Sequence, residues 1–277
     1  MGYIVSSDWL EGRIDDNNVR IVDCRFYLDN SERGYKEYKE SHIPNAVYFD
    51  LEQDLSGKKE AHGGRHPLPD METFTDKLSE AGIDNETIVI AYDDQGGMMA
   101  ARFWWMLQYV GHEKVFVLDR PFTKWKNEGK PVEQEMKTPP KKTFQPHIEA
   151  NQEAPLEEVK LALHDEDVAI IDARDEERFS GKKDEVDGKP GHIPGAKHYF
   201  WKNILDENGV WKKDEMLKDY FQDILDKKEI ISYCGSGVTA CVNVLALKEA
   251  GYDNARVYVG SWSDWVTYDD LPVEDGK

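Results

Sequence analysis

The 277-residue sequence has little cysteine: three residues, none at a paired spacing. An odd, unpaired set makes a poor disulfide framework and suits a reducing cytoplasm. Long hydrophobic runs are absent, and none approaches the roughly 20 residues that a bilayer span requires. The N-terminal MGYIVSSDWLEG lacks the basic and apolar regions of a signal peptide. Its Met-Gly start is too short a match to a myristoylation signal to outweigh an ordinary beginning. Positive charge is scarce as well, with 35 Lys and Arg against 55 Asp and Glu, a net charge of −20. That balance repels nucleic acid and anionic membranes, so neither is expected as a partner. An anionic ligand would have to be met by a local basic cluster. No Cys-x-x-Cys and no histidine pair on a helical pattern occur, so a metal site is not expected and no cofactor is implied.

What the sequence does hold is one unit written twice. IVDCR at 21–25 returns as IIDAR at 170–174, and HIPNAVYF at 42–49 as HIPGAKHYF at 192–200. IVIAYDD at 88–94 returns as EIISYCG at 229–235, each followed by a helical stretch that ends near a glycine. VFVLDRPFTKWKNEGKPV at 115–132 returns as VYVGSWSDWVTYDDLPV at 257–273. Short β-branched runs (DVAIIDA, TIVIAY, KVFVLD, ARVYVG) alternate with helical patterns, which predicts α/β units around mostly parallel sheets flanked by helices. DMETFTDKLSEAG carries its apolar residues at Met71, Phe74 and Leu78 and ends at Gly82; VTACVNVLALKEAG ends likewise at Gly251. The expected division is 1–133 and 151–277, with the Pro-, Lys- and Glu-rich 134–150 as a linker.

Chemistry concentrates where EIISY ends. Cys234 follows that strand and precedes a helix expected from about Val238, at the carboxyl end where open α/β sheets bind ligands. Gly235 and Gly237 have no Cβ, so the chain can turn its amides inward there. With the unpaired amides of the helix N-terminus they form a nest for negative charge. A thiolate in such a nest has its pKa drawn down. Cys24, whose counterpart is Ala173, and Cys241, two turns along the helix, read as packing residues.

The tandem units, GHIPGA, DARDEERF and above all CGSGVTA resemble the two-domain rhodanese superfamily of sulfurtransferases over essentially the whole chain. That resemblance implies two rhodanese-like domains, of which only the second carries the cysteine. In the first, Asp93 or Asp94 stands at its place and cannot form a persulfide. It further implies that Cys234 accepts a sulfane sulfur and passes it to a thiophilic acceptor such as cyanide, a small thiol or thioredoxin. Gly235, Ser236, Gly237, Val238 and Thr239 would cradle the persulfide. The loop is similar to that of 3-mercaptopyruvate sulfurtransferases. Thiosulfate sulfurtransferases of animals carry basic residues directly after the cysteine, where Gly235 and Ser236 stand here. Arg178 matches a family arginine that contacts the donor carboxylate, which a guanidinium fork suits. Ser236 and His66 match two members of a proposed serine–histidine–aspartate relay, for which Asp54 is the nearest acid, although FDLEQDLSG departs from the family pattern. Arg65 adds positive charge beside His66. A second arginine often found before GHIPG is missing; Lys182, Lys183 or Lys189 could replace its charge but not its fork.

The other recurring residues read as structure. His42 and His192 would pin the turn before a strand. Asp23 with Arg25, and Asp172 with Arg174, would form ion pairs, and Asp172 could touch the loop from below. Trp265, like Trp125, would lie in the core; no role is assigned to Trp201, Trp211 or Trp262. A cysteine phosphatase would need an arginine six residues after the cysteine, where Ala240 stands. A non-enzymatic binding module would not keep Cys234 in a complete loop. The expectation is therefore sulfur transfer from mercaptopyruvate, with thiosulfate as the alternative donor.

Overall fold

The computed structural model describes residues 2–183 and 186–275; Met1 of the Met-Gly start lies outside them. The fold is α/β. Contacts gather the chain into two compact units: Met1–Gly57, Leu68–Glu149 and Leu205–Trp211 form one, and Lys58–Pro67, Ala150–Ile204 and Lys212–Lys277 the other. The short segment 58–67, inside the first half of the sequence, thus belongs with the second unit.

In the first unit five strands, β1 (Ile4–Val5), β2 (Val19–Asp23), β3 (Val47–Tyr48), β4 (Ile88–Tyr92) and β5 (Val115–Leu118), form one parallel sheet in the order β1-β5-β4-β2-β3. The second unit repeats the arrangement with β6 (Val168–Asp172), β7 (Lys197–His198), β8 (Glu229–Tyr233) and β9 (Ala255–Val257), in the order β7-β6-β8-β9. Parallel strands joined by helices are covered on both faces, which is why β4 and β8 are β-branched runs without alternation. Each unit has its own core, one around Ile21, Ile90 and Trp125, the other around Ile170, Ile231 and Trp265.

The helices follow from their caps and faces. Met71–Glu80 starts at Asp70, whose side chain accepts from the Thr73 amide, and it buries Phe74 and Leu78. It stops ahead of Gly82, which takes a left-handed φ of 70°. Ala240–Glu249 is buried along almost its whole length and ends ahead of Gly251 at φ 84°. It begins two residues later than the apolar pattern suggests, because Val238 and Thr239 belong to the loop. Residues 134–149 contain no helix or strand and are fastened to the first unit, with the Lys142 amide on the Ser79 carbonyl and the His147 amide on the Val110 carbonyl.

The repeated motifs brace each sheet in the same way. Arg25 pairs with Asp23 at 2.6 Å and bonds the Ser41 carbonyl at 2.8 Å; Arg174 pairs with Asp172 at 2.7 Å and bonds the Gly191 carbonyl at 2.7 Å. Each Asp–Arg pair therefore ties a strand end to the following His-Ile-Pro turn. His42 and His192 hold those turns through their amides, to the Glu133 and Glu274 carbonyls. Trp125 and Trp265 donate to the Pro131 and Pro272 carbonyls. Among the described residues no helix is long and apolar enough to cross a membrane.

Both members of the Asp172–Arg174 pair are buried, so removing one strands the other as an uncompensated charge. Asp172→Ala should cost about 3–5 kcal/mol, to be read from urea denaturation of the variant.

Candidate active site

The site is built where β8 ends. Cys234 is 2% exposed. Its carbonyl accepts from the Trp262 amide at 2.9 Å and the Gly235 carbonyl from the Ser263 amide at 3.0 Å. These donors are the first, otherwise unpaired, amides of the short helix Ser261–Trp265. Because a peptide's N–H points opposite its C=O, fixing the Gly235 carbonyl outward turns the following Ser236 amide toward the sulfur. Gly237 makes the return at φ 75°; a Cβ there would stand 2.3 Å from the Val259 carbonyl oxygen, so no other residue fits.

The thiol answers to this cradle. Burial pushes its pKa up, but hydrogen bonds from the Thr239 hydroxyl and the Ser236 and Ala240 amides outweigh burial and the opposing Asp172 charge, leaving Cys234 below an ordinary thiol. Thr239 stands at the N-cap of Ala240–Glu249 yet makes no side-chain cap bond. Its hydroxyl serves the sulfur instead. Cys24 behaves oppositely: burial first, then the Asp23 charge, raises it well above the ordinary value. Cys241 is fully buried and donates to the Gly237 carbonyl at 3.3 Å.

Ser261 was not apparent from the sequence. It is fully buried, and its φ of 54° is uncommon for a non-glycine residue. Its hydroxyl accepts from the Cys234 amide at 3.1 Å and donates to the Tyr258 carbonyl at 2.8 Å. Backbone strain of this kind persists where surrounding bonds over-determine it. Nothing in GSWSDW signals the dihedral.

Segment 58–67 brings two further candidates to the loop. The Gly63 amide donates to Asp264 at 2.7 Å and the Arg65 amide to the Ser263 hydroxyl at 3.0 Å. Gly64, at φ 84°, lies so close to the Gly260 carbonyl that a Cβ would meet its oxygen at 2.4 Å. So held, His66 places Nδ1 2.8 Å from Ser236 Oγ, both residues being more than nine-tenths buried. Arg65 and Arg178 stand together over Gly235. A Cβ on that glycine would lie 2.8 Å from Arg178 Nη2 and 2.9 Å from Arg65 Nη2. The second guanidinium near the loop therefore comes from Arg65, not from the stretch before GHIPG. That stretch supplies an acid, Asp187, whose carboxylate takes Arg65 Nη1 on one oxygen and Arg178 Nη2, at 2.9 Å, on the other. Asp54 lies in the first unit, where Lys77 pairs with it and the Asp50 amide donates to it at 2.7 Å.

The first unit gives the loop a different content. Asp93 directly follows β4, as Cys234 follows β8, and the residue is 2% exposed. It accepts from the Gln95 and Gly97 amides at 2.9 and 2.8 Å and from the Met99 and Ala100 amides at 2.8 and 3.1 Å. The nest is filled by the chain's own carboxylate. Asp94 instead bonds the Thr123 amide at 2.7 Å.

The model of the rhodanese-like domain matches residues 6–128 and again 155–268. The chain belongs to the rhodanese family. A probable 3-mercaptopyruvate sulfurtransferase of Pseudomonas aeruginosa is 35% identical over 278 residues, spanning 99% of this chain and 98% of that one. A thiosulfate sulfurtransferase of Rattus norvegicus is 34% identical over 275 residues, 95% of this chain and 91% of its own. The crystal structure of the 3-mercaptopyruvate sulfotransferase of Escherichia coli superposes with a TM-score of 0.83 at 35% identity, covering 95% of this rhodanese chain and 100% of that one.

If the cradle lowers Cys234, its alkylation by iodoacetamide should reach half-maximal rate at a lower pH than that of a free cysteine. Thr239→Val should move that midpoint upward, while Cys24 and Cys241 stay unlabelled in the folded protein. Mass spectrometry of the labelled peptides checks both.

Proposed function

We propose that the chain is a sulfurtransferase that takes a sulfane sulfur from 3-mercaptopyruvate through a Cys234 persulfide. The observation that carries this is a buried thiol with a lowered pKa, in a neutral amide loop beside two guanidiniums and a histidine–serine pair. The thiolate attacks the donor's sulfur. An Sγ–S bond forms, the S–C3 bond breaks, and its electron pair passes to the carbon as the enolate of pyruvate. The proton of the donor thiol has to reach C3. Ser236 and His66, at hydrogen-bond distance from each other, are the groups assigned to move it.

The outer sulfur of the persulfide then carries the negative charge in the cradle of residues 235–239. Cyanide attacks it, thiocyanate leaves, and the thiolate returns; a small thiol or thioredoxin would serve as acceptor by the same displacement. Covalent catalysis in two half-reactions predicts ping-pong kinetics. Arg178, with Arg65, would take the donor's carboxylate. A reducing cytoplasm suits a mechanism that begins with a free thiolate.

Thiosulfate is the alternative donor. Positive charge over Gly235 favours it, while the lack of any basic side chain at 235 and 236 does not. Transfer to cyanide with the two donors side by side separates the readings. A kcat/KM at least about tenfold higher for mercaptopyruvate, or about 1.4 kcal/mol of transition-state discrimination, is expected. A preference for thiosulfate would overturn the donor assignment. Cys234→Ser should abolish transfer with either donor, and Cys24→Ser and Cys241→Ser should keep most of it. His66→Ala should lower kcat for mercaptopyruvate by about 10²-fold or more and leave thiosulfate, which has no proton to move, far less affected.

A further inference from the structure

Lys183, Val186, Gly188 and Pro190 are exposed, yet the Asp187 side chain is only 2% exposed. One oxygen is bound by Arg65 and the other by Arg178, and both guanidiniums stand over Gly235. Buried carboxylates pair with cations, but one shared between two arginines at a ligand loop also changes what the loop can take. We propose that Asp187 is a specificity-determining residue that sets the charge of the sulfur donor. Two guanidiniums alone would present two positive charges. With Asp187 between them the cluster presents one, and the loop positions 235 and 236 add none.

A donor with a single carboxylate neutralises that cluster. A dianion brings a second negative charge close to a buried carboxylate and is disfavoured by it. Guanidinium nitrogens face the loop where such a monoanion would sit. Arg178 Nε is buried and without a hydrogen-bond partner. Arg178 Nη1 would lie 3.3 Å and Arg65 Nη2 2.9 Å from a Cβ on Gly235, so both reach the loop itself. Asp187 thus selects by charge and leaves the forks their geometry.

This rests on Arg65 and Arg178 receiving the donor, and its test is kept apart from the identity of that donor. The quantity read is the ratio of kcat/KM for thiosulfate to that for 3-mercaptopyruvate, with cyanide as acceptor, in the wild type and in Asp187→Asn. Removing the charge at constant shape should raise the ratio about tenfold at low salt, chiefly through the KM for thiosulfate. The gain should shrink as ionic strength is raised. Asp187→Glu keeps the charge and should keep the wild-type ratio, even if both KM values rise.

If both donors weaken by the same factor in Asp187→Asn, the residue only splints the arginines and the inference is overturned. An unchanged ratio overturns it as well. A wild type that prefers thiosulfate would instead sink the mercaptopyruvate assignment, and the shift between wild type and variant would still decide the role of Asp187.

Discussion

A buried acidic thiol at the end of a parallel strand is the constraint from which the second unit follows. Burial alone would push the Cys234 pKa up, and the donors aimed at the sulfur bring it below that of an ordinary thiol. Those donors are mostly backbone amides, whose direction is set by what holds the opposite face of each peptide. The first amides of Ser261–Trp265 provide that hold by taking the carbonyls of Cys234 and Gly235. Ser261 accepts an uncommon dihedral to reach the Cys234 amide, and Gly237 clears the Val259 carbonyl. The loop is therefore a product of two strand ends, β8 and β9, not of its own six residues.

The first unit meets the same constraint with a different acid. Asp93 sends a carboxylate into the amides that the loop turns inward, and four of them bond it. Burial raises its pKa while those amides oppose the shift. The two units share the Asp–Arg brace, the histidine turn and the closing tryptophan. What separates them is the group in the nest, a carboxylate in the first unit and in the second a thiol, to which the proposed function gives a transferable sulfur. An intramolecular carboxylate never leaves, so the first nest is satisfied without a ligand.

Positive charge enters as a second layer. A chain at −20 has few cations to place, and two of its arginines converge on Gly235, where the absence of a side chain admits both. The cost of bringing two guanidiniums together is offset by Asp187 between them. The same carboxylate that makes the pair tolerable lowers its net charge, so the stability of the cluster and its choice of anion have one origin.

Much of this was legible in the chain itself. The duplicated IVDCR and IIDAR, the HIP turns and the β-branched runs determine two α/β units. CGSGVT after EIISY determines a cysteine in an amide loop, because strand period, glycine freedom and helix ends are local properties. The sequence also offered His66, Ser236, Arg65 and Arg178 one by one. Their convergence was decided by tertiary structure. His66 and Ser236 are 170 residues apart and meet because segment 58–67 is fastened to Ser263 and Asp264 by bonds that no local pattern announces. Asp187, in a stretch read for its missing arginine, became a partner of two cations only once the fold had placed both within its reach. Local residues set which groups can bear charge; the assembled chain alone sets the distances, and charge acts through distance.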